Sequence, residues 1–231
     1  MKTKIVLMCL ALTALISTNY AAEPNELSTK ENAGGWKLLF DGKTLSGWRG
    51  FKTDKPGSGW AVMDGAITRT GKSGDLLTAD DFGDFELAIE WKVEKATNSG
   101  IIYRVGLNET QTFRTGPEYQ VLDNRDAKDN KDPKHLAGSL YDIVAPPKDV
   151  TKPVGEWNQT RIWVKGWHVQ HWLNGEKVVD VDLGSPEGKA MIAGSKFSSM
   201  PNFATLSRGH IALQDHDESV SFRSIKIRDL K

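Results

Sequence analysis

The chain has 231 residues, 30 basic and 30 acidic side chains, and a single cysteine. So even a balance gives no electrostatic reason to expect nucleic acid or an anionic membrane as partner. With 22 glycines and eight tryptophans the composition fits a turn-rich β protein, and it is common where flat aromatic surfaces meet sugar rings.

Residues 1–22 read as a cleaved export signal. Lys2 and Lys4 supply the charged start, Ile5 to Ile16 is almost wholly apolar, and Ala21 and Ala22 offer small residues for cleavage. The apolar run is about twelve residues, too short for a helix across a bilayer core of roughly 30 Å. The expectation is a periplasmic or secreted protein without a membrane span. Cys9 lies inside the signal, so the mature chain carries neither disulfides nor thiol chemistry and must rely on its own core. Residues 23–35 are polar and aperiodic, with Pro24 and Gly34-Gly35, and read as a flexible leader. Residues 36–231 suit one β domain.

Within that domain period-2 patterns recur. Trp60–Val62, Asp64-Gly65 and Ile67 predict a hairpin, because Asp-Gly supplies the positive φ angles of a tight turn. Phe85, Leu87, Ile89, Trp91 and Val93 share one face of the next strand. In Ser99–Arg104, Ile101 and Tyr103 take one face, Ile102 and Arg104 the other. In Glu118–Asp123, Glu118, Gln120 and Leu122 alternate with Tyr119, Val121 and Asp123. Arg161–Lys165 and Val169–Leu173 pair through Gly166, and Asn174-Gly175 leads into Lys177–Leu183. Helical period is confined to the neighbourhood of Gly188–Phe197. In His210–His216, Ile211 and Leu213 face away from Gln214 and His216. Val220 and Phe222 are out of phase with Ile225 and Ile227, which predicts a bulge. Many short antiparallel strands imply an all-β sandwich or barrel. The long connections Asn124–Leu140 and Ala145–Glu156 are of the length used for functional rims and lids.

One polar stripe is not explained by packing. Arg104, Glu118, Gln120, Gln214 and His216 mix guanidinium, carboxylate, amide and imidazole, unlike the Lys, Glu and Thr of a plainly solvated face. A sheet face that binds a polyhydroxylated ligand would use them. Glu118 or His216 would move protons, Arg104 would hold a negative oxygen, and Gln120 and Gln214 would read hydroxyls. The blander reading makes Arg104 and Glu118 a cross-strand ion pair and His216 a surface residue. Asp123, on the opposite stripe at the strand end, is expected to serve the loop that it introduces. The oxygen-rich stretch from Asp123 to Asp132 lacks the glycine and closing glutamate of a calcium loop and reads as solvated. His168 and His171 point to opposite faces, with His171 in the core phase.

Seven blocks in order resemble the bacterial family of 3-keto-disaccharide hydrolase domains. They are LFDGKTLSGW ending at Trp48, NSGIIYR (Asn98–Arg104), EYQVLDN (Glu118–Asn124), AGSLYDIVAP (Ala137–Pro146), GEWN (Gly155–Asn158), HWLNG (His171–Gly175) and IALQDH (Ile211–His216). The resemblance implies a concanavalin A-like jelly-roll sandwich of two antiparallel sheets and an enzyme for small-molecule glycosides oxidised at carbon 3. It also implies a chemistry. A ketone at carbon 3 acidifies the proton on carbon 2, whose removal lets the enolate expel the oxygen at carbon 1, and hydration then completes net hydrolysis. Glu118 or His216 would be the base and the other the acid, with Arg104, or a divalent metal beside it, steadying the enolate. No cofactor is demanded. Gln120, Asp123, Tyr141, Gln214 and Trp48 would bind substrate. Two alternatives stand beside this. One is a non-catalytic carbohydrate-binding module whose tryptophans, such as Trp48 and Trp172, stack on rings. The other is an ordinary endo-glucanase, which wants an ExDxxE-like run of acids along one strand; the sequence has none.

Overall fold

The computed structural model describes residues 23–216 and 218–231; the export reading therefore falls outside the described residues. In chain order the strands are β1 (Lys37–Leu38), β2 (Trp48–Gly50), β3 (Trp60–Met63), β4 (Ala66–Arg69), β5 (Leu76–Thr78), β6 (Phe85–Val93) and β7 (Asn98–Val105). They continue with β8 (Glu118–Leu122), β9 (Asn158–Lys165), β10 (His168–Leu173), β11 (Glu176–Asp182), β12 (His210–Leu213) and β13 (Val220–Asp229). All pairings are antiparallel. One sheet runs β11-β10-β9-β6-β13-β4-β3 with β1 added on β13, and the other runs β2-β5-β12-β7-β8. The two sheets pack as a jelly-roll sandwich.

Alternation puts the core where the sequence predicts it. Leu87, Ile89 and Trp91 of β6 and Ile162 and Val164 of β9 meet Ile101 and Tyr103 of β7, Tyr119 of β8 and Leu213 of β12, all at most 2 % exposed. Each such side chain contributes about 1.5–3 kcal/mol by leaving water. A polar seam crosses this core. The Trp91 indole N–H donates to Thr160 Oγ1 (2.8 Å), and Tyr103 hydroxyl meets His171 Nε2 (3.1 Å). His171 is fully buried, as its phase implies, and burial pushes its imidazole down to about 4. The neutral ring then donates from Nδ1 to the Gly138 carbonyl (3.2 Å) and accepts from Tyr103 at Nε2.

The predicted turns form. Asp64 and Gly65 have φ of 49° and 71°, Asn174 and Gly175 of 50° and 86°, both pairs suited to two-residue hairpins. The phase slip near the C-terminus is a register shift between Arg223 and Lys226, with Ser224 at φ 51°.

Three expectations are corrected. The stretch 23–35 is a docked element rather than a flexible leader. Ser28 and Glu31 form a capping box for helix α1 (Thr29–Ala33), Asn25 Nδ2 donates to the Gly65 carbonyl (2.9 Å), and Lys226 pairs with Glu31. The helical piece begins earlier than its apolar residues suggest: Ser185 caps helix α2 (Pro186–Ala193), Gly194 ends it, and Lys196–Ser199 is a separate 3-10 turn. Trp48 is core. It is 4 % exposed and its indole N–H is held by the Leu39 carbonyl at 2.7 Å, so it offers no face to a sugar.

Candidate functional site

On the outer face of the five-stranded sheet, Leu77, Ala212, Ile102 and Glu118 lie in one cross-strand row. In the next row Gly100 pairs with Gln120, and the Gln214 N–H donates to the Gly100 carbonyl (2.9 Å). Asp75, just before β5, closes the far side: its Oδ1 accepts the Asp215 N–H (2.8 Å) and its Oδ2 takes the Thr112 hydroxyl. Gly100 is thus a bare spot amid polar side chains, and any Cβ there would collide with the Glu118 carboxyl.

Glu118 is 4 % exposed, and its carboxyl receives no hydrogen bond among the described residues. Desolvation raises it to about 8; Lys196 opposes that, while Asp75 and Asp129 add to it. Burial also lifts Asp75, against the Thr112 hydroxyl, the Asp215 N–H and the charge of His216, the exposed residue that follows Asp215 in the chain. Gln120 is fully buried; its Nε2 donates to Asn98 Oδ1 (3.2 Å) and its Oε1 has no partner among the described residues. A desolvated carboxyl, an amide oxygen without a donor and a nearby imidazole can together abstract, accept and deliver protons.

The adjoining wall comes from the long connection that follows β8. Tyr141 donates its hydroxyl to Asp129 Oδ2 (2.8 Å) and stacks on His135 with ring centroids 4.3 Å apart. His135 Nδ1 faces Asp129 Oδ1 (2.8 Å) and Nε2 faces Asp142 Oδ1 (3.1 Å). Tyr141 is pushed far up, first by burial and then by its bond to Asp129, so it stays a neutral donor.

The sequence-predicted set therefore divides. Glu118, Gln120, Gln214, Tyr141 and His216 gather around one area. Arg104 does not join them. Its φ of 54° makes it a bulge that resets the alternation of β7, so Tyr103 faces the core and Val105 returns to the outer face. Its guanidinium, 3 % exposed with its residue, crosses to the other sheet. It donates to the carbonyls of Gly83 (3.1 Å) and Gly166 (2.6 Å) and pairs with Asp84 (3.0 Å). That is a clamp between sheets, and the cross-strand pair with Glu118 is absent as well. Asp123 is likewise structural: Oδ2 accepts the Ala96 N–H (2.8 Å) and Oδ1 the Arg125 N–H (3.1 Å), as its position at a strand end implies.

Asp75, Asp129, His135 and Lys196 escaped the sequence reading. Asp75 shares its phase with Leu77 and could have been found by extending the alternation of β5 by one residue. Asp129 and His135 lie in a connection marked by its length and, up to Asp132, by its oxygen-rich side chains, which read as solvated. No local pattern marks Lys196.

Asp132, His135 and Asp142 could each offer one ligand atom, all within 4.8 Å of one another. Those donors are engaged: both nitrogens of His135 face carboxylates, Asp142 Oδ2 takes the Lys196 N–H (2.6 Å), and Asp132 Oδ1 takes the Lys134 N–H (2.9 Å). A cation would have to break this network, so the residues do not fit a resident metal and no step below runs through one. A broad groove on the opposite sheet, between α1 and Trp172, carries the ion pairs Glu31–Lys226 and Glu90–Arg223 along its lining, and Arg161 covers the Trp172 ring at 3.6 Å, so that ring offers no open face there.

Fold and site together define a jelly-roll protein with acid–base groups assembled on the face of its smaller sheet. Residues 35–228 match the model of the 3-keto-alpha-glucoside-1,2-lyase-like domain. The chain is 37 % identical to a 3-keto-disaccharide hydrolase of Bacteroides thetaiotaomicron, over 91 % of this chain and 83 % of that protein. A solved Parabacteroides distasonis protein, provisionally described as a glycosyl hydrolase, superposes with a TM-score of 0.86 at 33 % identity, covering 90 % of this chain and all of that one. A carbohydrate-binding module of Bacillus subtilis, 12 % identical with a TM-score of 0.51 over 79 % of this chain and 96 % of its own, shares the fold alone. The chain belongs to the 3-keto-alpha-glucoside-1,2-lyase-like domain family.

Proposed function

We propose that the protein is an exported enzyme that cleaves 3-keto-glycosides by elimination followed by hydration. The observation that carries this is the Glu118 carboxyl, 4 % exposed and without a hydrogen bond among the described residues, two residues along the strand from the Gln120 amide oxygen that likewise finds no partner among them. A carboxylate with a pKa near 8 is a far stronger base than an exposed one, which suits removal of a proton from carbon.

Glu118 takes the proton from carbon 2, and the C–H electron pair moves into a carbon 2–carbon 3 double bond, placing negative charge on the carbon 3 oxygen. As that carbonyl reforms, the double bond shifts to carbon 1–carbon 2 and the bond from carbon 1 to the glycosidic oxygen breaks. His216 protonates the departing oxygen. Water then adds its hydroxyl to carbon 1 and a proton to carbon 2. In this reading Gln120 and Gln214 read ring hydroxyls, and the Tyr141 oxygen, whose hydrogen goes to Asp129, accepts a further one. The route needs no second carboxylate at the fixed separations of ordinary glycosidases.

The test compares a 3-keto-glucoside with its unoxidised parent. Release from the keto form alone is expected, with kcat/KM rising toward pH 8 as Glu118 ionises. Glu118→Gln should lower kcat on the order of 10²–10⁴-fold with the fold intact. Equal cleavage of both glycosides, or a fully active Glu118→Gln, overturns the reading.

A further inference from the structure

With Arg104 engaged elsewhere, the reaction just proposed lacks a group to hold the charge that builds on the carbon 3 oxygen. We infer that the ammonium of Lys196 is that group, set beside Glu118 as the electrostatic partner of the enolate oxygen. The inference rests on the 3-keto reading of the site.

Lys196 opens the 3-10 turn after α2 and is exposed, yet its side chain is confined. Its Nζ stands 4.0 Å from the centroid of Tyr141, 5.1 Å from Phe197 and 5.6 Å from Phe113. Three rings from three segments hold a cation through their electron-rich faces without consuming its N–H donors. Among the described residues no carboxylate forms a salt bridge with Nζ, and Tyr141, the ring beneath it, donates its backbone N–H to the Glu118 carbonyl (3.0 Å), which ties the ammonium to the strand residue whose carboxyl feels its charge. Lys177, by contrast, closes an ion pair with Asp180. Here the charge is kept unpaired and its donors open.

The surrounding hydrogen bonds fix where that charge sits. The Lys196 N–H donates to Asp142 Oδ2 (2.6 Å), whose other oxygen meets His135 Nε2 (3.1 Å). His135 Nδ1 meets Asp129 (2.8 Å), and Asp129 holds the hydroxyl of Tyr141 (2.8 Å), the ring beneath the ammonium. The network begins at the backbone of Lys196 and returns to the ring that seats its side chain. An enolate oxygen bound between Glu118 and this cage would meet a cation already held in position before the reaction.

Among the described residues the groups acting on the Glu118 carboxyl are Lys196, Asp75 and Asp129, with Tyr141 beside them and His216 beyond Asp75, so removing the Lys196 charge has two readable consequences. Lys196→Met keeps the apolar stem and removes the charge. It should cut kcat on a 3-keto-glucoside roughly 10²-fold with a much smaller change in KM, as loss of one oxyanion donor does. It should also move the Glu118 titration upward, read by carbon-13 NMR of the labelled carboxyl and by the pH dependence of kcat/KM. Lys196→Arg should recover much of the loss, since it restores the cation. Thermal melting of both variants checks folding, and should Lys196→Met fail to fold, Lys196→Gln carries the same two readouts. Wild-type turnover with an unaffected charge-removed variant overturns the role of Lys196 and leaves the 3-keto reading standing. A wild type inert toward every 3-keto-glycoside overturns that reading. A Glu118 titration unmoved by loss of the lysine charge overturns the pairing whatever the substrate.

Discussion

Glu118 shows how a residue chosen for chemistry weakens the fold that carries it. Its carboxyl titrates near 4.5 when solvated and is raised to about 8 by burial. Below 4.5 both states are protonated and nothing is lost. As the pH climbs from 4.5 through 8, the unfolded chain ionises first and the folded state loses about 1.4 kcal/mol per pH unit. Glu118→Gln should therefore be more stable than wild type at pH 8, on the order of a few kcal/mol, and nearly equal to it at pH 4.5. Denaturant melts at the two pH values read this directly; a gain independent of pH would mean that the carboxyl is not held protonated by burial. At this scale, period-2 reasoning finds Glu118, Gln120 and Gln214 because their strands keep their phase. It misplaces Arg104 because one positive-φ residue shifts the alternation, and residue type alone does not forbid that shift in an arginine.

Among elements, α1 is the case where a local signal outweighs composition. Residues 23–35 have the polarity of a disordered leader, yet Ser28 and Glu31 satisfy each other's backbone donors and Asn25 ties the stretch to both the β3–β4 turn and β13. A five-residue helix does not persist alone; it depends on these contacts. Ser28→Ala should cost about 1 kcal/mol locally, as the loss of a cap does. Hydrogen exchange should accelerate across Thr29–Ala33 while amides of β7 and β12 keep their protection. Unchanged exchange in α1 would show that docking, rather than the cap, holds the helix. The same reasoning explains the early start of α2: Ser185 and Pro186 are start signals, whereas its weak amphipathic pattern hides them from a search by period.

Across the whole molecule, the seam between the sheets sets the response to acid. His171 is held near 4 by burial, well below its solvated value of 6.5. The neutral ring's contribution is complete above 6.5 and is lost as the pH falls through 4, because the unfolded chain takes up the proton first. The loss is about 1.4 kcal/mol per unit, roughly 3 kcal/mol in all. Removing the group by His171→Gln should shift the change in unfolding free energy from pH 7 to pH 4.5 by roughly 3 kcal/mol in favour of acid, leaving the opposite slope of Glu118 unopposed, whatever its cost at pH 7. A variant as acid-sensitive as wild type would place the effect elsewhere. Between about 4.5 and 6.5 the slopes from His171 and Glu118 have opposite signs, so a buried imidazole in the core and a buried carboxyl on the sheet face offset each other there.

Alternation, turn pairs and seven ordered blocks determine an all-β sandwich, its core face, its hairpins, its family and the carboxyl at the centre of the site. These properties are written in neighbouring residues, because side-chain direction along a strand and the sign of φ in a turn are local. The convergence of Asp75, Glu118, His216, Tyr141 and Lys196 is decided by the tertiary structure alone. They come from segments dozens of residues apart, and the desolvation that raises Glu118, like the cage that seats Lys196, exists only after those segments pack. The release of Arg104 to clamp the two sheets is decided in the same way, by which surface its bulge turns it toward.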